Sequence, residues 1–139
     1  MSAENKAIVQ RYYAEGLTKG NMAAVENLIA GDMVAHAPGF PVLEGRAAFL
    51  NSIRTFREAL TDFHGVIEDV VAEGDRVLVR WTESGRHVRE YAGIAPTGKA
   101  MTWTGMSLYR LAHGQIVEMW ANMDTLGLLR QLGALPSPE

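Results

Sequence analysis

Cysteine is absent from the 139 residues. That removes disulfides, thiolate nucleophiles and thiolate metal ligands together, and with them any inference from redox compartment. Long hydrophobic runs are missing too. None approaches the ~20 residues needed to span a bilayer, and the stretch Ser2-Ala3-Glu4-Asn5-Lys6 lacks the regions of a signal peptide, so a cytoplasmic protein without membrane association is expected. No charge of one sign dominates. Thirteen Lys and Arg against sixteen Asp and Glu give a net charge of -3, and their scatter leaves no electrostatic footprint for nucleic acid. The four histidines offer no i, i+4 pair, no His-x-His and no His-Glu-x-x-His, which argues against a metal site. Gly93 to Lys99 is not a phosphate loop, because no Gly-Lys-Ser/Thr opens a helix there. Ser84 and Ser107 have no triad context. These absences leave a small neutral or weakly charged ligand, and an apolar or aromatic molecule is the expected partner.

What is present centres on the stretch 99–133. Two β-rich runs, 99–111 and 115–122, flank His113-Gly114 and read as a hairpin with a three-residue turn and a bulge at Gly114. Setting Leu111 opposite Gln115 puts Met101, Trp103, Gly105, Ser107 and Tyr109 on one face with Val117, Met119 and Ala121. The other face then carries Met106, Leu108, Ile116 and Trp120. Both faces are too apolar for water, so one should be covered by helices and the other by a second copy of the chain. Asp124 caps a short closing helix that ends at Gly133.

Upstream, Ile8, Val9, Tyr12, Tyr13 and Leu17 recur at helical spacing, and a second helix covers 22–29. A short strand from Met33 runs into the loop His36-Ala37-Pro38-Gly39-Phe40-Pro41. Helical period returns over 45–60 and gives way to period two over 63–71 and 77–88. The residues 91–98 form a connection. This order predicts a single α+β domain over 1–139, with three N-terminal helices packed on about four long antiparallel strands and a short C-terminal helix. The tail from Pro136 to Glu139 is expected to fray.

The helical pair, Glu44-Gly45-Arg46, the run Ala72-Glu73-Gly74-Asp75-Arg76-Val77, the turn Gly93 to Lys99 and the run Gly127-Leu128-Leu129-Arg130-Gln131-Leu132-Gly133 together resemble the SnoaL-like proteins. That family includes polyketide cyclases of anthracycline biosynthesis and relatives called predicted ester cyclases. The resemblance spans nearly the whole chain. It implies the nuclear-transport-factor-2-like, or cystatin-like, cone: helices closing a strongly curved antiparallel sheet around an apolar pocket, with homo-oligomers formed through the outer sheet face. It also implies a cofactor-independent aldol ring closure, run in the family by an aspartate near the end of the last strand and a histidine on the neighbouring strand.

Aligned through Leu129-Arg130-Gln131-Leu132-Gly133, those two positions are Ala121 and Ser107. Alanine can neither take nor give a proton, so the family activity cannot transfer in its usual form. Three other groups are candidate acid/base residues. His36 should cross the pocket mouth and titrates near neutrality in its unperturbed state. Asp124 lies three residues past the expected aspartate and is either a helix cap alone or a cap that also meets the cavity. His87 follows Gly85-Arg86 on a strand. Tyr12, Tyr13, Phe40, Trp103, Ser107, Tyr109, Met119 and Ala121 are the expected ligand-binding residues, each with ordinary core packing as its alternative. The chain therefore reads as an acid/base lyase or isomerase on an apolar carbonyl or ester, or else as a non-catalytic ligand-binding or oligomerisation module that has lost the acid/base pair.

Overall fold

The computed structural model describes residues 2–136, so residue 1 and the tail residues 137–139 lie outside what is described. Helix α1 (Ser2–Arg11) continues into a π-helical segment, Tyr12–Thr18. Helix α2 (Met22–Val25) follows, capped by the Asn21 side chain on the Ala24 amide, and a 3-10 turn, Glu26–Leu28, leads into strand β1 (Ile29–His36). Strand β2 (Leu43–Glu44) precedes α3 (Arg46–Glu58). Strands β3 (Leu60–Glu73), β4 (Arg76–His87), β5 (Ala100–Ala112) and β6 (Gln115–Met123) then lead to α4 (Thr125–Gln131). Among the described residues, no helix is long and apolar enough to cross a membrane.

The helices pack on one face of a six-stranded sheet with strand order β2-β1-β6-β5-β4-β3. This is the expected α+β cone with one topological difference: β1 pairs parallel to β6, with His36 beside Trp120. Parallel pairing of a first strand with a last one has no local sequence signature. The second helix is also shorter than expected. Its C-terminal residue, Ile29, already belongs to the sheet and is fully buried there. Register shifts in the β3–β4 ladder between Thr61 and His64 and between Ile67 and Asp69 help bend the sheet, since an extra residue in one strand sharpens local twist.

The β5–β6 turn is tighter than the sequence suggested. Ala112 pairs with Gln115, and His113 and Gly114 both take positive φ, the geometry of a two-residue type I′ turn. Leu111 therefore faces Ile116, and Ile116 is fully buried rather than outward-facing. An irregularity at Arg110/Leu111 then leaves Val117 unpaired, so that Tyr109 meets Met119 and Ser107 meets Ala121. The tighter turn and the bulge each displace the pairing by one residue. Their effects on facing cancel, and Met119 and Ala121 stay on the expected inner face.

Helix α3 presents Phe49, Leu50, Ile53 and Phe56 as an apolar stripe to β1 and β3. The π-helical segment performs a different task. A regular helix separates neighbouring side chains by about 100°, whereas the wider turn brings both Tyr12 and Tyr13 against the sheet, where each is at most 4 % exposed.

Gly105 marks the closest backbone approach. A Cβ there would run into the Trp81 ring and stand 2.7 Å from the Asn122 carbonyl oxygen. Gly105→Ala should therefore destabilise the fold by about 1–3 kcal/mol through overpacking, lowering Tm by roughly 3–10 °C and shifting the near-ultraviolet tryptophan signal. An unchanged Tm would show that the ring moves aside freely.

Candidate functional site

Between the helices and the sheet lies a cavity of about 500 Å³, within the ~300–1,000 Å³ common for small-molecule sites. Tyr12, Tyr13 and Leu17 of the π-helical segment form one wall, and Phe49, Ile53 and Phe56 of α3 a second. The sheet contributes Trp81 and Glu83 from β4, Ser107 and Tyr109 from β5, and Met119 and Ala121 from β6. The loop after β1, with Phe40, closes the rim. Phe40 is 49 % exposed.

Among the described lining residues Glu83 is the one carboxylate, and none is a lysine or an arginine. It sits in phase with Val77, Val79 and Trp81 on the inward face of β4, and only 7 % of it is exposed. Its Oε1 accepts a hydrogen bond from the Trp103 indole N–H at 3.1 Å. Oε2 has no hydrogen bond among the described residues. Burial pushes this carboxyl up to about 7, against a smaller downward pull from the Trp103 N–H, because desolvation penalises the charged form. A carboxyl divided between its two protonation states near neutral pH can both accept and return a proton.

Beyond the Trp81 ring lies a second polar group. The Trp81 indole N–H donates to Ser107 Oγ at 3.0 Å, and the Tyr109 hydroxyl donates to the Tyr13 oxygen at 3.0 Å. Burial raises both phenols well above their usual range, so both stay protonated. Tyr109 spends its proton on Tyr13, so the Tyr13 and Ser107 hydroxyls, which accept in these two bonds, are the donors available to a developing oxyanion.

The three catalytic candidates read from the sequence are not brought together. His36 borders the cavity, but its Nε2 is held by Glu118 Oε2 at 2.8 Å and its ring stacks on Trp120 at 5.4 Å. Both partners are on the outer face. The His36 contact, then Arg110, holds the Glu118 carboxyl below its usual range. Asp124 caps α4, its Oδ1 accepting from the Gly127 amide at 2.9 Å, and it does not line the cavity. His87 is fully buried at the far end of β4. The Thr97 backbone amide donates to its Nδ1 at 3.1 Å, which leaves the ring proton on Nε2, an atom without a partner among the described residues. His87 thus ties down the 88–98 loop.

Of the expected ligand-binding residues, Tyr12, Tyr13, Phe40, Ser107, Tyr109, Met119 and Ala121 line the cavity. Trp103 stands behind Glu83 instead, packed against Phe56 at 5.7 Å and Phe63 at 6.4 Å. Sequence reasoning passed over Glu83, although its signal was there: a carboxylate on the apolar phase of an alternating strand.

Residues 7–132 match the family model described as SnoaL-like polyketide cyclase. AclR of Streptomyces galilaeus, a proposed hydroxylase, is 26 % identical, with 98 % of this chain and 100 % of that one covered and a TM-score of 0.86. IdmH of Streptomyces antibioticus, a proposed polyketide cyclase, is 28 % identical, with coverage of 93 % and 98 % and a TM-score of 0.80. A SnoaL-like protein of Jannaschia sp. CCS1 shares the fold at 23 % identity, with coverage of 97 % and 95 % and a TM-score of 0.89. No curated protein sequence matches the chain.

Proposed function

Since the chain belongs to the SnoaL-like polyketide cyclase family, which 126 of its residues (7–132) match, we propose that it is a cofactor-independent enzyme of lyase or isomerase type. Its substrate is an apolar ketone or ester, and Glu83 moves the proton on the carbon beside the carbonyl. The observation that carries this reading is a buried carboxylate with a titration midpoint near neutrality and one free oxygen in an apolar cavity.

In this scheme ionised Glu83 takes the α-proton on Oε2, and the C–H electron pair passes into an enolate. The protonated hydroxyls of Tyr13 and Ser107 stabilise the oxygen that gains charge. The enolate carbon then attacks a second carbonyl of the same molecule, forming the ring bond. The resulting alkoxide regains the proton from Glu83, which returns to its starting state. The carboxylate thus approaches the cavity from β4, while the position opposite Ser107 is Ala121.

The test is hydrogen–deuterium exchange at the α-carbon of 2-tetralone, a neutral aromatic ketone, followed by NMR. Catalysed exchange with a pH midpoint near 7 supports the reading. Exchange at the buffer rate throughout would leave the alternative, a ligand-binding module, which the alanine at position 121 favours.

We also propose that two copies pair through the outer sheet face, where Leu78 and Met106 are 40 % and 50 % exposed beside Trp120 and Leu108. Ile116 is not part of that patch. Sedimentation should show a dimer at micromolar concentration that Met106→Asp weakens at least about tenfold. A monomeric wild type at that concentration would rule the pairing out.

A further inference from the structure

The cavity carries a charge asymmetry that acid/base chemistry does not require. A site built only to handle neutral carbonyl compounds has no need to exclude cationic side chains, and a site for carboxylate-bearing compounds ordinarily includes one. Here Glu83 is the one carboxylate among the described lining residues, and none of them is a lysine or an arginine. The His36 ring at the cavity border is paired through Nε2 with the Glu118 carboxylate on the outer face, so a charge on it is met there and not in the cavity.

Around Glu83 the walls are aromatic. Trp103 holds its Oε1 at 3.1 Å, and Tyr12, Tyr13, Tyr91 and Tyr109 line the same cavity. The rings brace one another in edge-to-face contacts. Tyr12 lies 5.4 Å from Tyr13 and 5.8 Å from Tyr109, and Tyr91 lies 5.2 Å from Phe56. Aromatic faces around a desolvated carboxylate attract an organic cation twice, through the ring quadrupoles and through the ion pair. They give an ammonium group a buried partner that water does not screen.

We infer that the cavity recognises protonated amines carried on a flat apolar body, with the ammonium paired to Glu83 Oε2 and the body held between the tyrosine wall and α3, and that it rejects carboxylates of the same shape. The inference rests on the reading of the cavity as a ligand site and adds the class of ligand it prefers. An amine bound this way neutralises the group that would act as base, so amines are inhibitors of the proposed reaction unless their nitrogen stands clear of Glu83.

Three anthracene probes of one shape test it: 9-(aminomethyl)anthracene, 9-(hydroxymethyl)anthracene and anthracene-9-carboxylate, titrated by calorimetry at pH 5.5 and pH 8.5. At pH 8.5 the amine should bind about tenfold or more tighter than the alcohol, and the carboxylate about tenfold or more weaker. At pH 5.5, with Glu83 protonated, the amine's advantage over the alcohol should shrink towards unity. Glu83→Gln should abolish the advantage at pH 8.5 while the alcohol still binds, and the pH comparison on the wild type gives the same answer if that variant does not fold. Equal binding of amine and alcohol at pH 8.5 overturns the inference, and so does a carboxylate that binds as well as the alcohol. Both leave the cavity's role as a ligand site intact. Binding of none of the three overturns both.

Discussion

Glu83→Gln is expected to lower the rate of catalysed α-proton exchange by about a hundred- to ten-thousand-fold, the usual contribution of a positioned acid/base group. Glutamine keeps the shape and still accepts the hydrogen bond that Trp103 donates to Oε1, so the cavity wall should stand unchanged. What it loses is the proton cycle. Trp103→Phe refines the test, because the indole N–H is what pulls the Glu83 titration down against burial. Without it the ionised form loses a hydrogen bond, and the midpoint of the pH–rate profile should move above 7. His36→Ala is the control, since its ring is engaged with Glu118 and Trp120. If exchange survives Glu83→Gln and disappears in His36→Ala, the chemistry has been assigned to the wrong side of the sheet.

The same carboxyl should make the protein less stable as pH rises. In the unfolded chain Glu83 titrates near 4.5, and in the fold near 7. Between those values the folded state holds a proton that the unfolded state has released, so the group's contribution is complete at low pH and is lost as pH climbs through about 7. Integrated from pH 5 to pH 8, the loss is about 2–3 kcal/mol. Other groups titrate over this range as well, and subtracting the urea unfolding free energy of Glu83→Gln at each pH removes them. The Gln variant should gain on the wild type by that amount between the two pH values. A difference independent of pH would mean that the carboxyl is solvated in the fold.

Much of the architecture could be read from local pattern. The stripe Phe49, Ile53 and Phe56 announces α3, and strict alternation in β4 and β5 sorts their residues correctly into buried and exposed sets. The inner face of β6 was predicted through a turn that is in fact one residue tighter. The bulge at Val117 restores the phase, so Met119 and Ala121 face inward as the alternation predicts. What escaped notice depends on distant partners. Nothing near Ile29 tells the chain that it will lie beside Ile116, and the Glu118 and Trp120 side chains that engage the His36 ring at the cavity border come more than 80 residues later. The π-helical turn at Tyr12–Thr18 answers to packing rather than propensity. Glu83 is a different kind of omission: its phase with Val77, Val79 and Trp81 was visible, and a carboxylate on that face is an expensive residue that calls for a reason.

The pairing of β1 with β6 also sets an order of events during synthesis. Strand β1 leaves the ribosome well before β6, yet among the described residues its neighbours in the sheet are the two-residue β2 and β6, with Ile29 waiting for Ile116 and His36 for Trp120. Closing that long loop is entropically slow compared with zipping the β3–β4 and β5–β6 ribbons. Nascent chains therefore carry the apolar edge of β1 uncovered until β6 has been made, a period of exposure to aggregation and to chaperones. The cavity itself is completed in that final step, because β6 supplies Met119 and Ala121 to its wall.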